Sequence, residues 1–240
     1  MSQVTRRTSQ GLTVDFDHDR LIRWLLRVVG VLAVCHLLNA FLGKPSWQLE
    51  RLFEMSLKSN IPLWYAAMLW TFITVIAFRC LQLAETQKEK WLWFSFVFVF
   101  GIFSLDEVAL IHRHLFRVMS KALLAGHTRH AIRSHFSHSD WPILAAPFFA
   151  VLITWFIFAI KNLFRNSPKA RNTFVIGLII FSIGGWAMEI TMNLLRHGSY
   201  EWVWDIHSAV KKSLEMIGTI IAAKGLLMQT RVLEANSSGK

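Results

Sequence analysis

Two adjacent carboxylates, Asp106 and Glu107, stand in the apolar run Gly101-Ile-Phe-Ser-Leu-Asp106-Glu107-Val-Ala-Leu-Ile-His112-Arg113-His114, which reads as part of a membrane-spanning helix. An ionisable side chain at membrane depth is costly. It faces a protein interior or a wet cavity and marks a functional site by default. Carboxylates with imidazoles are ligands for Zn, Mn or Fe, whereas carboxylates alone in a low-dielectric setting hold protons. Glu189, Asn193 and His197 follow one another at four-residue steps, and Lys211 lies one helical turn from Glu215. The expected site for a proton or a divalent metal ion is Asp106, Glu107, His112, Glu189 and Glu215. Arg113 and Lys211 are the basic residues able to neutralise it from within.

These residues need apolar helices to position them, and the composition provides for that. Apolar residues make up 54% of the 240 positions and eleven are Trp, which does not fit a soluble globule. A bilayer core needs about 20 mostly apolar residues per helix. Six segments have that length, near 22–42, 62–83, 91–115, 141–163, 172–196 and 208–229. The expected fold is therefore all-α, a polytopic membrane protein with about six transmembrane helices in one bundle. Residues 1–20 form a polar N-terminal segment without a cleavable-leader pattern, 21–230 the bundle, and 231–240 a flexible tail.

Within the bundle, Leu49, Leu52, Phe53 and Leu57 recur at helical spacing opposite Glu50, Arg51, Glu54 and Lys58, predicting an interfacial helix over 47–58. Asn60 and Pro62 predict the start of the second span. The third is expected to run on through Leu115 and Met119 to a stop at Gly126. A His-rich outer loop, 116–140, follows; its His127-x-x-His130 and His135-x-x-His138 pairs read as solvated loop. Gly177, Gly184 and Gly185 let neighbouring backbones approach closely. Lys224 reads as a snorkelling side chain, and Cys35 and Cys80 fall too far apart in depth to pair.

Depth follows from a rise of about 1.5 Å per residue. Asp106 and Glu107, Glu189, Glu215, and His36 with Asn39 all fall toward the same face of the membrane, from four different spans. Nine of the ten histidines lie on that side. The net charge of +11 sits mainly between apolar runs, where it acts on topology and lipid headgroups rather than nucleic acid. Arg6, Arg7, Arg79, Lys88, Lys90 and the Lys161–Arg171 cluster favour an arrangement with both termini cytoplasmic, which makes the polar layer an outer-leaflet one.

Four runs carry a resemblance: Arg51-Leu-Phe-Glu-Met-Ser-Leu-Lys-Ser-Asn60-Ile-Pro62-Leu-Trp64-Tyr, Ser104-Leu-Asp106-Glu107-Val-Ala-Leu-Ile-His112, Gly184-Gly-Trp-Ala-Met-Glu189 and Ser213-Leu-Glu215-Met-Ile-Gly218. Together they resemble a group of uncharacterised bacterial six-helix integral membrane proteins with a Ser-Leu-Asp-Glu…His element. The resemblance implies a bacterial inner (plasma) membrane location and directs attention to Asp106, Glu107, His112, Glu189 and Glu215; it carries no activity. Arg113, Lys58 and Lys211-Lys212 stand where that group has acids, which favours internal ion pairs near the site.

The reading is a multi-pass plasma-membrane protein with an outer-leaflet carboxylate/histidine site binding a proton or a divalent cation. One alternative is a metal-dependent membrane hydrolase acting on lipid or lipid-linked substrate, with the ion activating water. The other is an accessory subunit of a larger membrane complex. Expected partners are membrane lipids and other membrane-protein subunits, with no nucleic acid. Serine or cysteine catalysis finds no persuasive nucleophile, no glycine-rich nucleotide loop occurs, and the Glu-x-x-His pairs of di-iron bundles are missing.

Overall fold

The computed structural model of the chain describes residues 17–55, 60–111, 114–115, 118–119, 141–188, 190–191 and 201–238. The described residues form seven helices and no strand: α1 His18–Phe41, α2 Trp47–Phe53, α3 Ile61–Leu83, α4 Gln87–Ala109, α5 Trp141–Leu163, α6 Pro168–Ser182 and α7 Glu201–Ser238. α6 continues into a π-helical turn, Ile183–Ala187. All but α2 are long and apolar enough to cross a membrane. The protein is an all-α polytopic membrane protein, as its apolar segments predict.

Local sequence starts these helices. Asp17 caps α1 by accepting from the Arg20 N–H at 3.0 Å. Ser46 caps α2 through the Leu49 N–H at 3.2 Å. Asn60 caps α3 through the Leu63 N–H at 2.9 Å, and Pro62 occupies its first turn. α4 opens with a reciprocal capping box, in which Thr86 accepts from the Glu89 N–H at 3.2 Å and Glu89 accepts from the Thr86 N–H at 3.3 Å. Thr86→Ala removes one cap and is expected to cost about 1 kcal/mol. A thermal melt in mild detergent should then show a midpoint lower by roughly 2–4 °C; an unchanged midpoint would mean the box is redundant.

α7 is the axis of the bundle, packing on α1, α3, α6 and the π turn, while α4 lies against α3 and α5 against α4. Its contact with α6 is the most intimate. Gly218 and Gly225 on α7 face Gly177, Phe181 and Phe174 on α6, and a Cβ added at Gly177, Gly218 or Gly225 would collide with backbone atoms of the other helix. Small residues seven apart on both helices thus bring two antiparallel backbones together, which favours packing where lipid offers apolar side chains no hydrophobic incentive. Around this seam Trp70, Trp93, Phe96, Phe100, Phe164 and Phe174 form a buried aromatic cluster joining α3, α4, α5 and α6. α5 is peripheral and turns Val151, Ile153 and Ile157 outward.

Inter-helix hydrogen bonds fix rotation. Tyr65 Oη donates to Leu25 O at 2.8 Å, and Ser104 Oγ donates to Ala67 O at 3.0 Å. Cys80 Sγ lies 3.2 Å from Thr230 Oγ1, and both cysteines are free thiols. Lys224, expected to snorkel, meets Asp19 on α1 at 2.8 Å.

Several boundaries differ from the sequence reading: α2 ends at Phe53, with Glu54 extended, instead of running to 58, and α7 begins at Glu201 instead of 208. α7 continues to Ser238, through much of the segment read as a tail, because Arg79 on α3 pairs with Glu234 at 3.1 Å and Leu233 packs against the core. The third span does not run unbroken toward Gly126. α4 stops at Ala109, and Leu110 takes a left-handed conformation, φ 52, donating its N–H to Asp106 O at 2.7 Å. That conformation costs a non-glycine residue roughly 1–2 kcal/mol, and it falls three residues after Glu107.

Candidate functional site

α7 carries a polar stripe at alternating spacings of three and four: Asp205, Ser208, Lys212, Glu215 and Thr219. This spacing keeps all five on one helix face. Two clusters of ionisable groups form along it, centred on Lys212 and Asp205, seven residues or about 10 Å apart along the axis.

The deeper cluster contains part of the expected site. Lys212 Nζ donates to Glu107 on α4 and, at 2.8 Å, to Glu215 Oε2 one turn along α7. All three side chains are largely buried. Glu107 belongs to the last turn of α4, the negative end of the helix dipole, where a cation from another helix is favourable. Asp106 is half-buried beside it. Glu107 and Glu215 are therefore brought together as their depths predict, and Lys212 is the residue that joins them; Lys211, one position earlier, is half-buried. Gly184 and Gly185 of the π turn face this stretch of α7, Gly184 against the Glu215 N–H and Gly185 near its carboxylate. His112, Arg113 and Glu189 lie outside the described residues, as do Asn193, His197 and the His-x-x-His pairs.

The second cluster sits at the end of the bundle where α1 finishes. His36 on α1, Glu54 just after α2 and Asp205 on α7 each offer a ligand atom, and the three atoms lie within 4.8 Å of one another. All three residues are buried, His36 completely. The imidazole is held by two backbone groups whose roles are fixed. The Met55 N–H can only donate, reaching Nδ1 at 3.3 Å, and the Asp205 carbonyl can only accept, 3.0 Å from Nε2. The proton therefore resides on Nε2, and Nδ1, which accepts from the Met55 N–H, lies 3.6 Å from Glu54 Oε1. A ring N–H anchored on a carbonyl while the other nitrogen faces acids is the arrangement that orients a metal-ligating histidine.

Glu54 is locked from both sides. Its N–H reaches Glu50 O at 2.9 Å, and its carbonyl accepts from Asn60 Nδ2, so the residue that caps α3 also clamps the acid. Lys44 Nζ stands 3.9 Å from Glu54 Oε2 and 3.6 Å from Asp205 Oδ1. Neither separation is a hydrogen bond; the ammonium neutralises the acids without being seated on them. One turn after His36, buried Asn39 has neither amide atom in a hydrogen bond, and the Ser208 hydroxyl is similarly unsatisfied. Polar atoms so placed usually signal a ligand, ion or water.

His36 and Asn39 stand out in the sequence as polar residues in a span, but Glu54 and Asp205 do not. Glu54 reads as part of the solvated face of an interfacial helix, and Asp205 as the end of an aromatic loop. The available signal was an acid near the end of each of two segments that must both approach His36 on the first span.

No curated protein and no solved structure matches the chain. One family model, described as a domain of unknown function, DUF8692, matches residues 24–230, which takes in α1 from its second turn and α7 as far as Thr230. The chain, with both ionisable clusters inside that span, belongs to the DUF8692 family.

Proposed function

We propose that the protein is an integral membrane cation-binding protein whose divalent-ion site is His36, Glu54 and Asp205. The observation that carries this reading is the convergence of one buried imidazole and two buried carboxylates, with ligand atoms within 4.8 Å of one another, beside two orphaned polar side chains. A nitrogen and two carboxylates suit Zn2+ or Mn2+. Ligands at about 2.0–2.2 Å from an ion lie about 3.4 Å apart in a tetrahedral site, so these atoms, now within 4.8 Å of one another, must draw together, the Met55 N–H must release Nδ1, and Lys44 must withdraw. The ion takes over the charge balance that Lys44 now supplies.

In this reading Glu107, Glu215 and Lys212, with Asp106 next to Glu107 on α4, form the deeper end of the same polar seam. Glu107, Glu215 and Lys212 together carry a net charge of −1, so that end suits a single proton or small cation better than a second divalent metal. The reading also takes the membrane to be a bacterial plasma membrane with the site toward the outer leaflet, supported by the Lys and Arg flanking the spans.

Metal titration of the purified protein tests it. Wild type should bind close to one Zn2+ or Mn2+. Glu54→Gln should weaken binding by at least 10-fold to 100-fold, the range seen when a metal's supporting groups are lost, whereas Lys44→Gln should tighten it by removing the competing ammonium. Equal and negligible metal in wild type, Glu54→Gln and Lys44→Gln would eliminate the metal reading. Because ligands must be deprotonated, binding should also weaken as pH falls.

A further inference from the structure

A cleft of about 360 Å³ opens beside the second cluster, lined by Leu37, Ala40 and Phe41 of α1, Gly43 and Lys44 of the following turn, and Trp202, Asp205 and Ile206 of α7. Its walls are chemically divided. Leu37, Phe41, Trp202 and Ile206 are apolar, and Phe41 and Trp202 are strongly exposed, Ile206 partly so, at the bundle surface, where acyl chains lie. The polar end is Lys44 with Asp205, at the level where α1 ends and a Trp suits the membrane interface. This is the layout of an amphiphile site: chain along the bundle, headgroup at the rim.

The sign of the headgroup follows from Lys44. Gly43 and Lys44 both have positive φ, 73 and 56, in a turn held by Gly43 N–H to Ala40 O at 3.1 Å and Lys44 N–H to Asn39 O at 2.9 Å. The turn costs Lys44 a left-handed conformation, and it brings the ammonium between the carboxylates and the cleft. About a third of its side-chain surface is exposed, and its nearest acids are beyond hydrogen-bond length. A divalent ion held by His36, Glu54 and Asp205 satisfies those acids and adds positive charge to the rim.

From this the geometry points to a binding site for an anionic phospholipid, its acyl chain along Leu37, Phe41, Trp202 and Ile206 and its phosphate-bearing headgroup on Lys44, occupied when the neighbouring cation site is filled. The inference rests on the cation reading for its coupling: the ion frees Lys44 from Glu54 and Asp205, and the lipid phosphate takes the ammonium. Lipids that merely surround the bundle show no such preference, which separates the two cases.

The test uses full-length protein in bilayers containing spin-labelled phosphatidylglycerol or phosphatidylcholine, with the motionally restricted fraction of each measured with Zn2+ and with chelator, and Zn2+ stoichiometry determined on the same samples. Wild type with Zn2+ should prefer phosphatidylglycerol at least threefold, and chelation should reduce that preference. Lys44→Gln should abolish the preference while still binding Zn2+. Ala40→Phe, which fills the cleft, should do the same, and its retained Zn2+ shows that it is folded. Equal restriction of both lipids by Zn2+-loaded wild type, or a preference unchanged in Lys44→Gln, overturns the lipid site while leaving the cation reading intact. No Zn2+ bound by wild type defeats the cation reading; a preference that still depends on Lys44 then retains the lipid site and removes the coupling.

Discussion

Lys212→Met should be among the most destabilising single changes in this chain, costing about 3–5 kcal/mol, because it leaves Glu107 and Glu215 facing one another in a largely dehydrated space. The bridge links α4 to α7 across the bundle, and its loss turns an attraction into a repulsion. In a mild detergent the thermal midpoint should fall by on the order of 10 °C. The sharper measurement is rescue. Lys212→Met combined with Glu107→Gln and Glu215→Gln removes all three charges together, and neutral replacement of a buried ion cluster is often close to neutral in stability. The triple variant should therefore recover most of the lost midpoint. If Lys212→Met melts with wild type, Lys212 is not the element that holds these acids.

Gly218→Leu is expected to prevent α6 and α7 from docking, with loss of folded protein in detergent extracts. Even Gly218→Ala is costly here. The added Cβ meets backbone atoms of Phe181 and Gly177, which cannot swing aside as a side-chain end could. Overpacking of this type costs about 1–3 kcal/mol and occasionally more, and contact with rigid backbone puts it at the upper end. Gly30→Ala on α1 is the matched control, since nothing lies within 4 Å of its added Cβ. It should hold or raise the melting midpoint, because alanine is the better helix former by up to about 1 kcal/mol. Similar melts for Gly218→Ala and Gly30→Ala would refute the close-packed seam. The seam also governs the site, because Asp205 and Lys212 ride on α7 and any displacement from α6 carries both clusters with it.

Much of this architecture was legible in residue order. Spans declare themselves through length and apolarity, and a fixed rise per residue turns sequence distance into depth; that brought Glu107 and Glu215 to one layer. Rotation about the helix axis is harder to read. Lys211 and Lys212 differ by about 100° of azimuth, and the one that joins Glu107 to Glu215 depends on how α7 is turned against α4, which the seam of glycines sets. Glu54 was missed because its burial comes from chain reversal after α2 and from the Asn60 clamp, both tertiary events. Asp205 was missed because α7 begins at Glu201, earlier than its apolar run indicates. The left-handed Leu110 carries no sequence mark at all, since leucine is among the residues least suited to that conformation.

The π turn at Ile183–Ala187 has a consequence for chain length. A π turn holds one residue more than the α turn it replaces, so the strand of helix beyond it is out of phase with the helix before it by about 100°. Upstream, Gly177 meets Gly218 and Ala222 of the α7 seam; within the turn, Gly184 meets α7 at the level of Glu215. Loss of one residue from the Gly184-Gly185 pair winds the turn back into ordinary α-helix, so the deletion is registered as a rotation of Met188, just past the turn, about the α6 axis rather than as a gap.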